Sequence, residues 1–465
     1  MNNPRRREFL RTAAAGIGSL AAGAVLRAGG GPGARPGGWH IAPFRFDVTP
    51  PVGHSLCGGW IRPVEGVDDP LEAIGFVLLG AGQPIVVCVV DWTGLLNEAH
   101  LAWRRALAEA AGTVPERVAV HTVHQHNAPL VCFDAEELAG RQPDLPRIFD
   151  RDFHRRCLDA ARGAVSAALR STREVTHVAA GGAVVDRVAG NRRLARDASG
   201  RVTKMRGSAC KDPALVAMPE GLIDPRLRTV AFFERGRKVV ACHYYATHPM
   251  SYYGDGRVSS DFCGLARKRL QQDDPECTHL YFTGCAGNLA AGKYNDGSRE
   301  ARLVLTERMH RAMVEADRSL RPEPLALVDW RTEAVLPPPN PALGTSALRE
   351  LIEKQRDAVV FRLRPAFKLA LVRRLERAQP FLLSCLRLNE ASVLHLPAEP
   401  FVEYQLRAQG RRPKHAVAVA AYGDCGPWYV PTRAEFPAGG YEVEHAFLDP
   451  GAEDLFVSAM DRLLG

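Results

Sequence analysis

The chain has 465 residues, of which 46% are hydrophobic and 24% charged, enough for one large domain or two ordinary ones. Its formal net charge is +8, and residues 1–38 contribute +5 of it through six arginines and one glutamate. The remaining +3 gives no support for nucleic-acid binding. No segment after residue 38 is long and apolar enough to cross a bilayer.

The N-terminus has the pattern of a targeting signal. Three arginines at 5–7 precede the mildly apolar, Ala/Gly-rich residues 12–26, which predicts a twin-arginine export signal with a linker over residues 1–38. The mature domain would then span residues 39–465 and work in the periplasm or outside the cell. Because this pathway carries folded proteins, we expect a metal to be loaded before export.

Short β-branched runs alternate with stretches of helical spacing along the mature chain. The runs predict strands at residues 76–79, 85–90, 117–121, 229–233, 239–245 and 279–282. The helical spacing predicts helices at residues 98–111, 152–169, 301–315 and 347–377. This alternation favours an α/β or α+β fold with mixed sheets flanked by helices, whose strand ends are where ligand sites collect.

Three histidines follow strand-like runs and precede Pro-containing turns. His124 and His126 are two positions apart and would share one face of an extended chain. One of them could bind a metal and the other handle protons. His248 is the natural candidate for a third group in the same pocket. The alternative is that all three are buried structural histidines.

Further candidates lie toward the C-terminus. Residues 284–292 form a small-residue loop after a predicted strand and could approach an oxyanion, although tight turns use the same residues. Glu399 follows another strand-like run, and its carboxylate is a ligand that zinc accepts beside imidazole. Tyr429, judged on its own, would be assigned to core packing.

The cysteine pattern gives no disulfide framework. Eleven cysteines cannot all pair, and no two form a Cys-x-x-Cys motif. Cys88 and Cys242 lie inside apolar runs and are predicted to be buried thiols. One disulfide between two of the four cysteines in Gly-rich turns stays possible, and its pairing is not assigned: Cys57, Cys263, Cys285 and Cys425.

A set of motifs, taken together, resembles the catalytic N-terminal domain of the neutral/alkaline non-lysosomal ceramidases. They are residues 47–51, 124–129, 190–192, 247–251, 259–261, 397–399 and 429–432, spread between about 43 and 450 in the family's order. The resemblance implies one zinc ion bound by four residues: His124, His248, Glu399 and Tyr429. It implies that the amide carbonyl is held and polarised by His126, Arg192 and Tyr441, with Tyr441 twelve residues after Tyr429 as in the family.

The sequence departs from the ceramidases in two respects. The position of the family's nucleophilic serine is Ala290, so a zinc-bound water is the expected nucleophile, and Cys285 is a weaker substitute. We also expect the family's C-terminal β-sandwich to be absent, which weakens the case for a ceramide-like lipid as substrate.

Three hypotheses follow. The first is an exported zinc-dependent hydrolase of an N-acyl amide or related bond. The second is a catalytically inactive, zinc-retaining binding protein. The third is a metal-free interaction domain with structural histidines.

One segment raises the question of a membrane partner. Residues 354–377 interleave basic and apolar side chains, which is the pattern of a helix that contacts an anionic membrane surface. The simpler alternative is a helix that covers the domain, and Pro365 favours it because proline would kink or split a long amphipathic helix. The expected ligand is a small-molecule or lipid-like amide.

Overall fold

The structure is a computed structural model that describes residues 38–354 and 358–465. Residues 1–37 of the predicted export signal lie outside the described residues. Three main sheets, flanked by helices, make up the fold, as the sequence predicted. The helices are Glu98–Ala111, Phe133–Ala139, Arg151–Ala168, Pro213–Ala217, Asp261–Asp273, Arg299–Arg318, Thr345–Glu353, Val360–Glu376, Val402–Arg411, Tyr441–Glu444 and Ala452–Leu464.

Two of the main sheets have five strands and the third has four. From edge to edge, the first sheet contains Val118–Thr122, Ile85–Val90, Glu72–Leu79, Trp39–Asp47 and Arg173–Val175. The second contains Thr278–Thr283, Arg237–Tyr245, Arg226–Glu234, His177–Val184 and Glu323–Pro324. The third contains Val328–Val335, Phe381–Leu388, Ala391–His395 and Val417–Ala420. Two-stranded pairs make the smaller sheets, among them Gly190–Asn191 with Leu289–Ala290 and Glu399–Pro400 with Tyr429–Val430.

The three sheets share one pattern of strand pairing. Each is antiparallel except for a single parallel pair at one side of the sheet. Those pairs are Ile85–Val90 with Val118–Thr122, Arg237–Tyr245 with Thr278–Thr283, and Ala391–His395 with Val417–Ala420. The carboxyl ends of parallel strands collect ligand sites. The segments that carry His124, His248, Glu399 and Tyr429 each follow one of these six strands.

Hydrogen bonds join the three parallel pairs at their carboxyl ends. The Thr122 N–H donates to Tyr422 O at 2.8 Å, and the Ala421 N–H donates to Thr283 O at 2.9 Å. The Thr283 hydroxyl donates to Val123 O at 2.7 Å. Loops from three separate sheets therefore meet in one place, and all of these contacts are buried.

The predicted helix over residues 347–377 is two helices in the structure. The first helix ends at Glu353 and the second begins at Val360. The second helix continues through Pro365, so the expectation that Pro365 splits the helix is wrong. Pro365 lies near the helix start, and the intrahelical bond it removes is the single one to Phe361. The apolar residues from Leu363 to Val372 are buried in the core. None of the helices in the described ranges is long and apolar enough to span a membrane.

The cysteines are buried thiols. All eleven fall within the described residues and all are unpaired, so no bridge links the four cysteines of the Gly-rich turns there. Ten of the eleven are buried, including Cys88 and Cys242 as predicted. Burial raises the pKa of Cys285, which keeps it a neutral thiol and removes it as a nucleophile.

Candidate metal centre

His124 is fixed by the first sheet. Its backbone N–H donates to Trp92 O at 2.9 Å, and its ring Nδ1 lies 2.7 Å from Thr93 O. Because a carbonyl oxygen can only accept, Nδ1 must carry a proton, and Nε2 is the nitrogen that faces the cluster. This is the tautomer that a metal-binding histidine adopts when its second nitrogen is held by a carbonyl.

His124 and His126 converge, but not in the way the sequence predicted. The strand ends at Thr122, and His124 has a left-handed backbone with φ of 72°. The expectation of an extended chain with both rings on one face is therefore wrong. A turn brings the rings together instead, with their centroids 5.0 Å apart and their planes nearly perpendicular.

His248 follows the strand Arg237–Tyr245 of the second sheet's parallel pair. Its Nδ1 lies 2.8 Å from Ala286 O and 3.1 Å from Leu289 O, so Nδ1 carries the proton and Nε2 the lone pair. Among the described residues Nε2 has no hydrogen-bond partner, although it is buried. Burial and the nearby Arg192 lower the pKa of His248 to about 4, so the ring is neutral at pH 7.

Glu399 directs its carboxylate at both imidazoles. Its Oε2 lies 3.1 Å from Nε2 of His124 and 3.4 Å from Nε2 of His248. Burial alone would raise the pKa of Glu399, but the two imidazoles hold it well below its ordinary value, so the group is ionised. Oε2 itself has no hydrogen-bond partner in the described part of the chain.

These three groups together require positive charge. Two imidazole Nε2 nitrogens and an ionised carboxylate oxygen face one another within 3.4 Å, and both Nδ1 protons point away to carbonyls. Positive charge at this place, from a proton on Nε2 or from a bound metal ion, holds the buried carboxylate ionised. Two nitrogens and one oxygen are a donor set that zinc accepts. The residues therefore fit the metal that the sequence led us to expect.

His126 lies in the same cluster. One potential ligand atom from each of His124, His126 and His248 falls within 4.8 Å of the other two. Nε2 of His126 is buried without a hydrogen-bond partner in the residues described, and its Nδ1 lies 3.8 Å from the Cys57 thiol. Burial and the other two histidines lower the pKa of His126 well below its ordinary value. A neutral imidazole nitrogen is thus available either to the metal or to a substrate.

Two tyrosines flank the cluster, and the sequence identified only one. Tyr429 pairs in parallel register with Glu399, and its ring stacks on His248 at 6.3 Å. Tyr422 was missed: its ring stacks on His124 at 4.4 Å, and its buried hydroxyl has no hydrogen-bond partner in the described ranges. Burial raises the pKa of both phenols well above the ordinary value.

Arg192 is the arginine that reaches the cluster, and Arg193 is not. The guanidinium of Arg192 lies over the Tyr429 ring at 5.6 Å and pairs with Glu442 at 2.9 Å. Its Nε is buried and has no acceptor in the part of the chain described. Arg193 instead points to Glu442 at 2.7 Å and to Glu435 at 2.8 Å. Glu442 is fully buried and anchors both arginines, a role the sequence did not indicate.

Tyr441 lies at the outer side of the cluster. It is 37% exposed, and its ring packs edge-on against Tyr429 at 5.8 Å. Its hydroxyl oxygen accepts a hydrogen bond from Arg364 Nη2 at 3.0 Å, which leaves the hydroxyl proton free to donate. Burial raises the pKa of Tyr441, so this proton is retained at neutral pH. All seven predicted site residues therefore lie on connected elements.

The small-residue loop 284–292 supports the metal ligands. The carbonyls of Ala286 and Leu289 hold the His248 ring, and the Gly287 carbonyl accepts from Arg192 Nη2. The Gly287 N–H donates to Pro400 O at 2.9 Å, beside Glu399. The observed role of the loop is thus to position His248, Arg192 and Glu399.

Ala290, at the position of the family's serine, is a packing residue in this loop. It is buried and pairs with Gly190 in a two-stranded sheet. Its methyl group offers no nucleophile.

Gly287 tolerates no side chain, and of the tight glycines in this loop it is the one that lies against Glu399. A Cβ there would lie 2.4 Å from Glu399 O, so we expect Gly287→Ala to displace Glu399, lower zinc affinity and destabilise the protein by about 1–3 kcal/mol. Gly410→Ala is the matched control, because a Cβ at this helical position meets no atom within 4 Å. It should stabilise by about 0.5–1 kcal/mol. Thermal unfolding with and without zinc measures both, and equal behaviour of the two variants would refute the role of Gly287.

Four of the eleven non-glycine residues with positive φ in the described ranges lie at the site. His124, Ala398, Tyr422 and Trp428 have φ between 56° and 72°. Each of them is a site residue or the neighbour of one, and such conformations cost on the order of 1 kcal/mol or more apiece. The surrounding contacts of the site must offset this strain.

A second group of potential metal ligands is already satisfied. Asp274, Cys277 and His279 also bring ligand atoms within 4.8 Å of one another. The Lys238 ammonium, however, lies 3.0 Å from Asp274, and His243 Nε2 lies 3.0 Å from His279 Nδ1. A permanent cation of the chain itself, the Lys238 ammonium, thus compensates this carboxylate.

The fold matches known structures over most of the chain, whereas the sequence comparisons find no match. No protein-family model and no curated protein matches the sequence. The neutral ceramidase from Pseudomonas aeruginosa aligns with 92% of this chain and 74% of its own, at a TM-score of 0.65 and 18% identity. The chain has the neutral ceramidase fold. A structure described as ceramidase complexed with C2 aligns at 15% identity and a TM-score of 0.65, over 92% of this chain and 75% of that one. At these low identities the two structural matches confirm the ceramidase resemblance for the fold alone.

Proposed function

We propose that this protein is an exported zinc-dependent hydrolase of an N-acyl amide or a related acyl bond. The observation that carries the proposal is the convergence of two Nε2 nitrogens and an ionised carboxylate from His124, His248 and Glu399. Tyr429, next to Glu399 in the parallel pair, is the proposed fourth ligand. A bound zinc ion would supply Lewis acidity and a water acidified to a pKa of about 7.

The remaining residues would bind and polarise the substrate carbonyl. Arg192 offers a buried, unused Nε–H beside Tyr429, and Tyr441 offers a free hydroxyl proton. His126 provides a neutral imidazole on the same side as the ligands. Donors fixed in this way before the reaction stabilise a developing oxyanion by roughly 2–4 kcal/mol each.

The loss of the family's serine supports a second candidate function. Ala290 has no nucleophilic group, and Cys285 is held as a thiol. A protein that retains zinc but hydrolyses nothing, and binds an amide-like ligand instead, would have the same site. The localisation that we propose, periplasmic or extracellular by the twin-arginine pathway, suits both candidates, because ten of the eleven thiols are buried and so protected from oxidation.

Hydrolysis assays of the zinc-loaded mature protein separate the two candidates. We expect turnover of N-acyl amides or acyl esters that disappears on chelation and returns with zinc. We also expect no acyl-enzyme in mass spectra of the reacting protein, because no serine is present in loop 284–292. Stoichiometric zinc without turnover of any acyl amide or ester would favour the binding protein.

A further inference from the structure

A cation without a carboxylate partner lies at the outer side of the site. Arg364, in the helix Val360–Glu376, is within ion-pair distance of no Asp or Glu in residues 38–354 and 358–465. Its Nη1 bonds His445 Nε2 at 2.7 Å, and its Nη2 donates to the Tyr441 hydroxyl at 3.0 Å. Its Nε is buried and has no acceptor among the described residues. Two of the five N–H donors of the guanidinium are thus in use, and three remain.

The position of Arg364 connects it to the metal ligands on two sides. On one side it contacts Tyr441, which packs on Tyr429, which in turn stacks on His248. On the other side its guanidinium lies 5.9 Å from the Trp60 ring, three residues after Cys57, the neighbour of His126. Arg364 therefore spans the two segments that border the cluster.

The orientation of the guanidinium is set before any ligand binds. Burial and Arg364 lower the pKa of His445 to about 4, so this ring is neutral and its Nε2 accepts from the arginine. The other ring nitrogen, Nδ1, lies 2.8 Å from Tyr441 O. An arginine held by a neutral imidazole, a phenol and two aromatic faces keeps its charge and loses little entropy on binding an anion.

A second cation lies one helical turn further along. Lys368 is on the same face as Arg364 and also has no ion-pair partner in the described part of the chain, where its ammonium lies 5.6 Å from the Phe447 ring. Glu444 is the acidic group that faces it, beyond ion-pair distance. Like charges four residues apart destabilise a helix. Since Arg192 is neutralised by Glu442, Arg364 and Lys368 leave the outer side of the site positive.

We propose that Arg364 determines substrate specificity by binding an anionic group, a carboxylate or a phosphate, on the amide that enters the metal centre. Hydrolysis of such a substrate rests on the proposed function, whereas binding of its anionic group by Arg364 does not. Guanidinium pairs with either anion through parallel N–H bonds. The substrate class would then be N-acyl amino acids or N-acyl phosphoamines rather than neutral amides.

The test compares three dodecanoyl amides with the zinc-loaded protein: dodecanoylglycine, dodecanoylglycinamide and dodecanoyl phosphoethanolamine. We expect the wild type to prefer one of the two anionic amides over the neutral one by roughly 10- to 100-fold in kcat/KM. Arg364→Gln should abolish most of this preference, and Arg364→Lys should keep part of it. The ratio is the readout because any change that acts through Tyr441 alters all three substrates alike. Arg349→Gln, at an exposed position of the preceding helix, is the matched control and should keep the full ratio.

Calorimetric binding of the same amides separates this inference from the proposed hydrolysis. Tighter binding of an anionic amide that is lost in Arg364→Gln, without any turnover, would support the inference while the hydrolase proposal fails. Turnover of all three amides without a charge preference would support the hydrolase and overturn the inference. A preference that survives in Arg364→Gln would overturn it as well, because Lys368 or the zinc ion would then be its source.

Discussion

Glu399→Gln is expected to destabilise the metal-free protein and to lower its zinc affinity by about 100-fold. In the absence of a metal, the carboxylate lies 3.1 and 3.4 Å from the Nε2 atoms of His124 and His248, which hold its pKa well below the ordinary value. Because a depressed pKa means that the ionised carboxylate stabilises the fold at neutral pH, a neutral amide loses that contribution. The same change removes a charged ligand from the metal. Thermal unfolding in chelator and a zinc titration measure the two effects.

Glu403→Gln is the matched control for that experiment. This glutamate is four residues further along, and its carboxylate accepts from Asn288 Nδ2 at 2.9 Å. A glutamine oxygen can accept the same bond, so we expect little change in stability or in zinc affinity. The account is wrong if Glu399→Gln behaves as Glu403→Gln does, or if it leaves zinc binding intact.

Arg192→Met should lower kcat/KM for an acyl substrate by about 10²- to 10³-fold, with a small effect on zinc content. The substitution removes the unused Nε–H beside Tyr429. It leaves Glu442 paired with Arg193 at 2.7 Å, so the buried carboxylate keeps a partner and the fold is retained. Steady-state kinetics on zinc-loaded protein, together with thermal unfolding, gives both quantities.

Arg193→Met is the comparison that makes the assignment decisive. Arg193 is 2% exposed, and its guanidinium pairs with Glu435 and Glu442 and donates to the Gly439 carbonyl. Its loss should therefore destabilise the protein by about 3–5 kcal/mol, with a much smaller loss of kcat/KM in the folded fraction. Equal kinetic losses in the two variants would contradict a catalytic role specific to Arg192.

Much of the fold followed from patterns in the sequence. Helix Glu98–Ala111 and strand Ile85–Val90 have the predicted bounds, because amphipathic spacing and a fully buried β-branched run leave no competing assignment. The helix at Pro365 was misjudged because the cost of proline depends on how many helical bonds lie before it, and only the structure shows that the helix begins at Val360. The repeated parallel pair in each sheet is long-range pairing, which local spacing does not encode.

The candidate site was predicted in its residue types but not in its geometry. His124, His248 and Glu399 each follow a strand, and that position was visible in the sequence, whereas the parallel pairing of those strands was not. Tyr422 has the same position after Val417–Ala420 and could have been found by the same rule. Glu442 could not, because its importance comes from burial between two arginines that are far away in the chain. The left-handed turn at His124 is likewise imposed by contacts with Trp92 and Thr93.

The most direct test is the metal content of the purified mature protein, measured by elemental analysis beside the His124→Ala, His248→Ala double variant. Asp274→Asn, from the second ligand group, serves as the control because its carboxylate is already paired with Lys238. The account predicts about one zinc per chain in the wild type and the control, and none in the double variant. No stoichiometric metal in protein never exposed to chelator, or zinc that remains in the double variant, would contradict the proposed metal centre.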